Sequence, residues 1–256
     1  VHLDQVRDGK APAVYIKPEQ FFARTYLTKN MLELAGQVVR RLNGVTTETS
    51  AIFNLATQFG GGKTHSLTLL YHLAKHGPAS HNWLGVGQIM AKAGQGQVPK
   101  GEAAVFVGTE FDSLTGRGGE DGTPLRKTPW GEMAWQIGGA QAFALVAEHD
   151  AKGVAPGGDV LAKVIPDTPC LILMDELMNY ISRNRKSGLA AQFYNFLHNL
   201  SECVRGKTRA VLAVSIPASE MEMTAEDLED YNRITKLLDR TGKALVIEQF
   251  QQGGET

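Results

Sequence analysis

Only two cysteines, Cys170 and Cys203, occur in the 256 residues, and neither stands at a metal-ligand or redox spacing. That scarcity argues against a disulfide framework or a thiolate metal site, and the expectation is two free thiols in a reducing cytoplasm. No apolar stretch approaches the ~20 residues needed to span a bilayer. The opening Val1-His2-Leu3-Asp4 also lacks the basic and apolar regions of a secretory signal. A soluble, cytoplasmic chain with no membrane partner is expected. Net charge is nearly absent: 26 Lys and Arg against 27 Asp and Glu leave a formal −1. The total therefore gives no electrostatic support to nucleic acid or an anionic surface as a partner, although a local basic patch stays open. Period-length repeats and long low-complexity tracts are missing too, which removes solenoids and arrays. The first residue is not methionine and the closing Gln251-Gln252-Gly253-Gly254-Glu255-Thr256 is polar, so the chain reads as a segment of a longer one.

What is present begins with Gly60-Gly61-Gly62-Lys63-Thr64, between an apolar run (Ala51 to Leu55) and a helical one (Ser66 to Lys75). Successive glycines let backbone N–H groups converge on phosphate oxygens, and the helix beyond adds a partial positive charge. Lys63 would reach the β- and γ-phosphates and Thr64 a magnesium ion. The pattern G-x-x-x-x-G-K-[ST] wants glycine where Thr57 stands, yet the strand, loop and helix context is there. The glycines lack G-x-G-x-x-G spacing, so a nicotinamide cofactor is not expected.

A second element is Leu171-Ile172-Leu173-Met174-Asp175-Glu176, a continuous apolar run ending in two carboxylates. Such a run predicts a strand buried on both faces. In P-loop phosphoryl transfer a carboxylate at that place helps hold magnesium, which fits Asp175. Glu176 would orient and deprotonate a water, the chemistry of a hydrolase.

Strands are also expected over 103–107 and 209–215, the last ending in Ser215, with helices over 129–148, 189–204 and 224–240. A helix is predicted from Pro18 to Leu42, with Met31, Leu34, Val38 and Leu42 on its apolar face. The glycine pair at 138–139 should bend the 129–148 helix, Thr224 should open a capping box, and Gly116 to Gly122 reads as a mobile loop. Alternating strands and helices predict an α/β fold: a three-layer P-loop NTPase, AAA+/RecA-like, with a mostly parallel central sheet and helices on both faces. Ligands bind at the carboxyl ends of such strands. Residues 1–50 are expected to form a helical extension packed on the nucleotide domain, and 51–256 the P-loop core, cut before a C-terminal helical domain.

The chain resembles the AAA+ group of P-loop ATPases. More narrowly, it resembles a family of large prokaryotic ATPases named as a domain of unknown function and found near DNA-modification and phage-defence genes. The resemblance rests on Phe22-Ala23-Arg24-Thr25-Tyr26-Leu27-Thr28, Phe59-Gly60-Gly61-Gly62-Lys63-Thr64-His65-Ser66, Thr128-Pro129-Trp130-Gly131-Glu132 and Leu238-Asp239-Arg240-Thr241-Gly242. It implies ATP and magnesium as cofactors, a phosphate loop of Gly60, Gly61, Gly62, Lys63, Thr64 and His65, and Asp175 and Glu176 as the Walker B pair. It further implies a sensor at Ser215, which also reads as an ordinary strand-end serine. Arg240 would be an arginine finger reaching a neighbouring copy, although a helix-end arginine compensating the macrodipole fits the same place. Arg183 and Arg233 are weaker finger candidates. Thr109 and Glu110 could bond to Glu176 and restrain it, and Arg24-Thr25-Tyr26 could approach the base. The function so implied is ATP hydrolysis that moves an attached effector. A nucleotide-gated switch without turnover and a nucleic-acid motor or loader stay open.

Overall fold

Apolar runs such as Leu171 to Met174 require cover on both faces. The computed structural model describes residues 1–57, 62–217, 223–241 and 243–246. It contains β1 (Ile52–Thr57), β2 (Glu102–Val107), β3 (Cys170–Asp175), β4 (Ala210–Pro217) and β5 (Lys243–Val246). They form one sheet in the order β2-β3-β4-β1-β5, every pair parallel. The register sets Leu55 opposite Ser215 and Val107 opposite Asp175. The ends of β1, β2, β3 and β4 thus meet along one edge.

Side chains alternate across the sheet. Phe53, Leu55, Val105, Leu171 and Leu173 enter one core, with α1 (Leu3–Arg7), α2 (Ala13–Ile16), α3 (Pro18–Ala23), α4 (Lys29–Leu42), α5 (Lys63–His76) and α6 (Val86–Ala93). Ile52, Phe106, Ile172, Met174 and Leu212 enter the other, with α7 (Pro129–Lys152), α8 (Gly158–Val164), α9 (Leu177–Arg183), α10 (Leu189–Gly206) and α11 (Ala225–Thr241). The chain is therefore an α/β fold, with an all-parallel sheet among the described strands and helices on both faces. The helices before residue 50 share one hydrophobic cluster with the sheet.

One helical expectation fails. The 18–42 stretch is two helices, because Thr28 caps a new one by accepting from the Met31 N–H at 3.2 Å while the Thr25 hydroxyl donates to the Phe21 carbonyl at 2.7 Å. The four apolar positions named on its second half are buried as expected. Two other expectations hold. Gly138 and Gly139 leave helical geometry inside α7, and Thr224 and Asp227 exchange backbone-to-side-chain bonds of 3.1 and 3.2 Å at the start of α11. The stretch read as a mobile loop is tied down instead. Arg117 and Arg126 form an antiparallel bridge, and buried Arg126 pairs with buried Glu132 at 2.8 Å. Both cysteines are free thiols, and burial pushes Cys170 up to about 12. Among the described residues no helix is long and apolar enough to cross a membrane.

Candidate functional site

The candidate site is a cleft of about 490 Å³ at the carboxyl edge of the sheet, lined by Lys63, Thr64, Asp175, Glu176 and Ser215 among others. Gly60 and Gly61 lie outside the described residues. Gly62 is the N-cap of α5 at φ 85°, a left-handed conformation open to glycine without strain. The helix therefore begins at Lys63, and its first turn opens on the cleft.

Lys63 reaches back over the sheet to within 3.4 Å of the Ile216 carbonyl. That is a weak partner for an ammonium, and burial lowers its pKa against the opposing charges of Asp175 and Glu176. Thr64 donates its hydroxyl to Asp175 Oδ2 at 2.7 Å, joining the helix start to the end of β3. Asp175 is 3% exposed, and its other oxygen accepts the Glu176 N–H at 3.0 Å. Two oxygen ligands of the kind magnesium prefers thus stand together beside a half-buried cation.

Glu176 follows in a left-handed conformation, φ 56° and ψ 41°, as the N-cap of α9. A residue other than glycine is uncommon there, and functional sites hold a disproportionate share of such backbone. Gly108 makes the bend possible: a Cβ on it would lie 2.1 Å from the Glu176 carbonyl oxygen. Burial, with the Asp175 charge added, raises the Glu176 pKa, which suits a group that accepts a proton.

The carboxylate is engaged within the chain. Thr109 donates its hydroxyl to Glu176 Oε2, and His2 stands 3.7 Å from the same oxygen. Glu110 makes no such bond and pairs with His2 at 3.3 Å. Of the two residues expected to restrain Glu176, the structure brings Thr109 to it directly and Glu110 only through His2.

Ser215 is buried on β4 and lines the cleft. Arg240 falls on α11, and its side chain lies outside the described residues. Arg183 donates to the carbonyls of Gly108 and of Phe111, the latter at 3.0 Å, and Arg233 stacks on Tyr194 at 3.9 Å. Both are thus engaged within the chain. His65 turns toward the N-terminal helices: its Nε2 is 2.8 Å from the Thr25 hydroxyl and its ring is stacked on Phe21. Burial lowers the His65 pKa. Tyr26 is exposed, so of the Arg24-Thr25-Tyr26 stretch Thr25 is the residue joined to the phosphate helix.

Val1, Tyr15, Met178 and Asn179 also line the cleft. Sequence reasoning misses Tyr15, His2 and Gly108. Gly108, directly after an apolar strand, carries a recognisable signal for close backbone approach, whereas Tyr15 and His2 arrive only through tertiary packing.

The chain matches the family described as the DUF499 N-terminal domain over residues 1–96 and 114–247. No curated protein matches it. With nearly the whole length covered, helical N-terminal segment and sheet together, the chain belongs to the DUF499 N-terminal domain family.

Proposed function

We propose that the chain is a P-loop ATPase of the AAA+ or RecA-like type, holding magnesium-ATP on Lys63, Thr64 and Asp175 and hydrolysing it with Glu176 as base. The observation that supports this most directly is the Thr64 hydroxyl on Asp175 at 2.7 Å. It joins a helix start to a strand end, which supports a site where hydroxyl and carboxylate oxygens together hold a metal for phosphoryl transfer. Lys63, which among the described residues hydrogen-bonds through its ammonium to one carbonyl at 3.4 Å, is a cation suited to an anionic partner. When bound, magnesium-ATP would supply the phosphoryl group and a cation to offset the charge on it. Asp175 and Thr64 would hold the metal, Lys63 would neutralise phosphate, and Ser215 would offer a hydroxyl from β4. Thr109 and His2 stand at Oε2 of Glu176, which leaves Oε1 as the oxygen that would take a proton from water. By the resemblance, turnover moves an attached effector in a larger prokaryotic protein of DNA modification or phage defence, and Arg240 reaches a neighbouring copy.

In Glu176→Gln, ATP should still raise the melting temperature while turnover falls at least ~10²-fold. Lys63→Ala should abolish the ATP-dependent stabilisation, which is ~2.7 kcal/mol at a hundredfold excess over the dissociation constant. Equal turnover in parent and Glu176→Gln removes Glu176 as the base. The second reading, a nucleotide-gated switch, is favoured by the engagement of Glu176 with Thr109 and His2. Binding without measurable turnover in the longer protein, with partners present, would establish it.

A further inference from the structure

The cleft joins two kinds of chemistry. Lys63, Thr64, Asp175 and Glu176 gather charge, while Tyr15 and His65 present rings to the same space. Tyr15, on α2, is only partly buried, so part of its ring stays available. It leans on Phe21 with centroids 6.0 Å apart and meets the edge of His65 at 6.2 Å and 81°. His65 follows Thr64 directly and is held against Phe21 at 4.4 Å. An aromatic wall therefore begins one residue beyond the proposed phosphate and metal ligands.

Thr25 sets the orientation of the His65 proton. Its single hydroxyl hydrogen goes to the Phe21 carbonyl at 2.7 Å, so toward His65 Nε2 at 2.8 Å the hydroxyl can only accept. On that arrangement we assign the ring proton to Nε2, the tautomer that leaves Nδ1 as an acceptor. Nδ1 then keeps a lone pair, and no hydrogen bond among the described residues reaches it. A flat apolar face and an unused acceptor beside a phosphate subsite match the needs of a nucleoside: a base to stack and a hydroxyl or amino group to donate.

We propose that Tyr15 and His65 form the nucleoside-recognising wall of the cleft, Tyr15 stacking on the base and His65 Nδ1 accepting a hydrogen bond from the nucleoside. The inference rests on the phosphate-site reading above and adds to it that the N-terminal helices, and not the sheet alone, give the site its preference for a nucleotide over bare polyphosphate.

The test is calorimetric titration of the purified chain with magnesium-ATP and, separately, with magnesium tripolyphosphate, which carries the phosphates and no nucleoside. The parent should bind ATP more tightly than tripolyphosphate. Tyr15→Ala should weaken ATP by about tenfold, the scale of one base-aromatic stack, and leave tripolyphosphate unchanged. Tyr15→Phe should keep the parent's affinity for both. His65→Phe, which keeps a ring against Phe21 and deletes the acceptor, should weaken ATP about fivefold and spare tripolyphosphate. The proposal is overturned if the parent binds the two ligands equally, because the phosphate site then stands without a nucleoside wall. It is also overturned if Tyr15→Ala weakens both alike, since Tyr15 would then act through the fold. If the parent binds neither ligand, the phosphate reading itself fails and this one falls with it.

Discussion

The two faces of the sheet are packed by different chemistry. On the α7 to α11 face, a chain of rings fills the core: Phe106, Phe111, Tyr180 and Phe193 contact one another, and Phe193 leads on through Phe196 to Trp130. On the α1 to α6 face the aromatic seam is interrupted by histidines of α5. His65 and His72 lie against Phe21, and His76 joins His72 to Trp83. Ionic pairs reinforce that face, among them Asp4 with Arg117 at 2.8 Å. The ring-filled face is packed mainly by apolar burial, with ion pairs such as Arg126 with Glu132 and Arg185 with Asp230 at its margins. On the histidine-bearing face burial favours the neutral form of His65 and His72, and it is the face that carries the candidate phosphate helix.

The largest break in this comparison should come from Phe193→Ala. Phe193 is fully buried at the centre of the ring cluster, and its truncation should destabilise by about 3–5 kcal/mol in urea denaturation. ATP-dependent stabilisation of whatever remains folded should persist.

Acid probes the other face. Burial pushes His72 down from an ordinary 6.5 to about 4, and its Nε2 is tied to the Tyr15 carbonyl at 2.7 Å. Below pH 6.5 the unfolded chain takes up a proton that the native one refuses. Stability is therefore full above that pH and declines toward pH 4, by about 3 kcal/mol in total. His72→Gln should flatten that part of the pH–stability curve relative to the parent; an unchanged curve would show that His72 ionises freely in the native state.

Alkali gives the smallest effect and sharpens the contrast. Cys170, buried in the ring-filled core, is raised from 9.0 to about 12, so the unfolded thiol ionises first and stability is lost as pH rises. Between pH 9 and 10 that loss should be about 1 kcal/mol, and Cys170→Ala should remove it. Acid thus tests His72 on one face and alkali tests Cys170 on the other.

Much of this was legible because burial on both faces of a parallel sheet erases polar residues, as in Leu171 to Met174 and Ala210 to Val214. The phosphate-helix start and the Asp175-Glu176 strand end are local signals for the same reason: each is chemistry concentrated within a few residues. The break between α3 and α4 escapes reading because Phe21 and Phe22 continue the apolar pattern across it, and only the Thr28 cap marks the restart. The left-handed Glu176 has no sequence signature, since the conformation is imposed by the α9 packing and by the room at Gly108. Tyr15 and His2 reach the cleft from α2 and the start of α1, and no spacing in the sequence records contacts across fifty or more residues.

The strand order has a consequence for the chain as it is made. β1, which precedes the start of α5, is the first of the described strands in chain order, yet Ile52 pairs with Leu212 and Phe53 with Lys243. Its early companion in the sequence, β2, lies across the sheet beyond β3 and β4. On the ribosome, β1 must therefore wait with both edges bare until almost all the remaining strands have emerged. Contacts so distant form slowly and leave an apolar strand open to mispairing in the interval. The edge that carries the candidate site would be among the last parts of this domain to assemble, and a chain halted before β4 would carry the Gly62-Lys63-Thr64 sequence without its partners on the sheet.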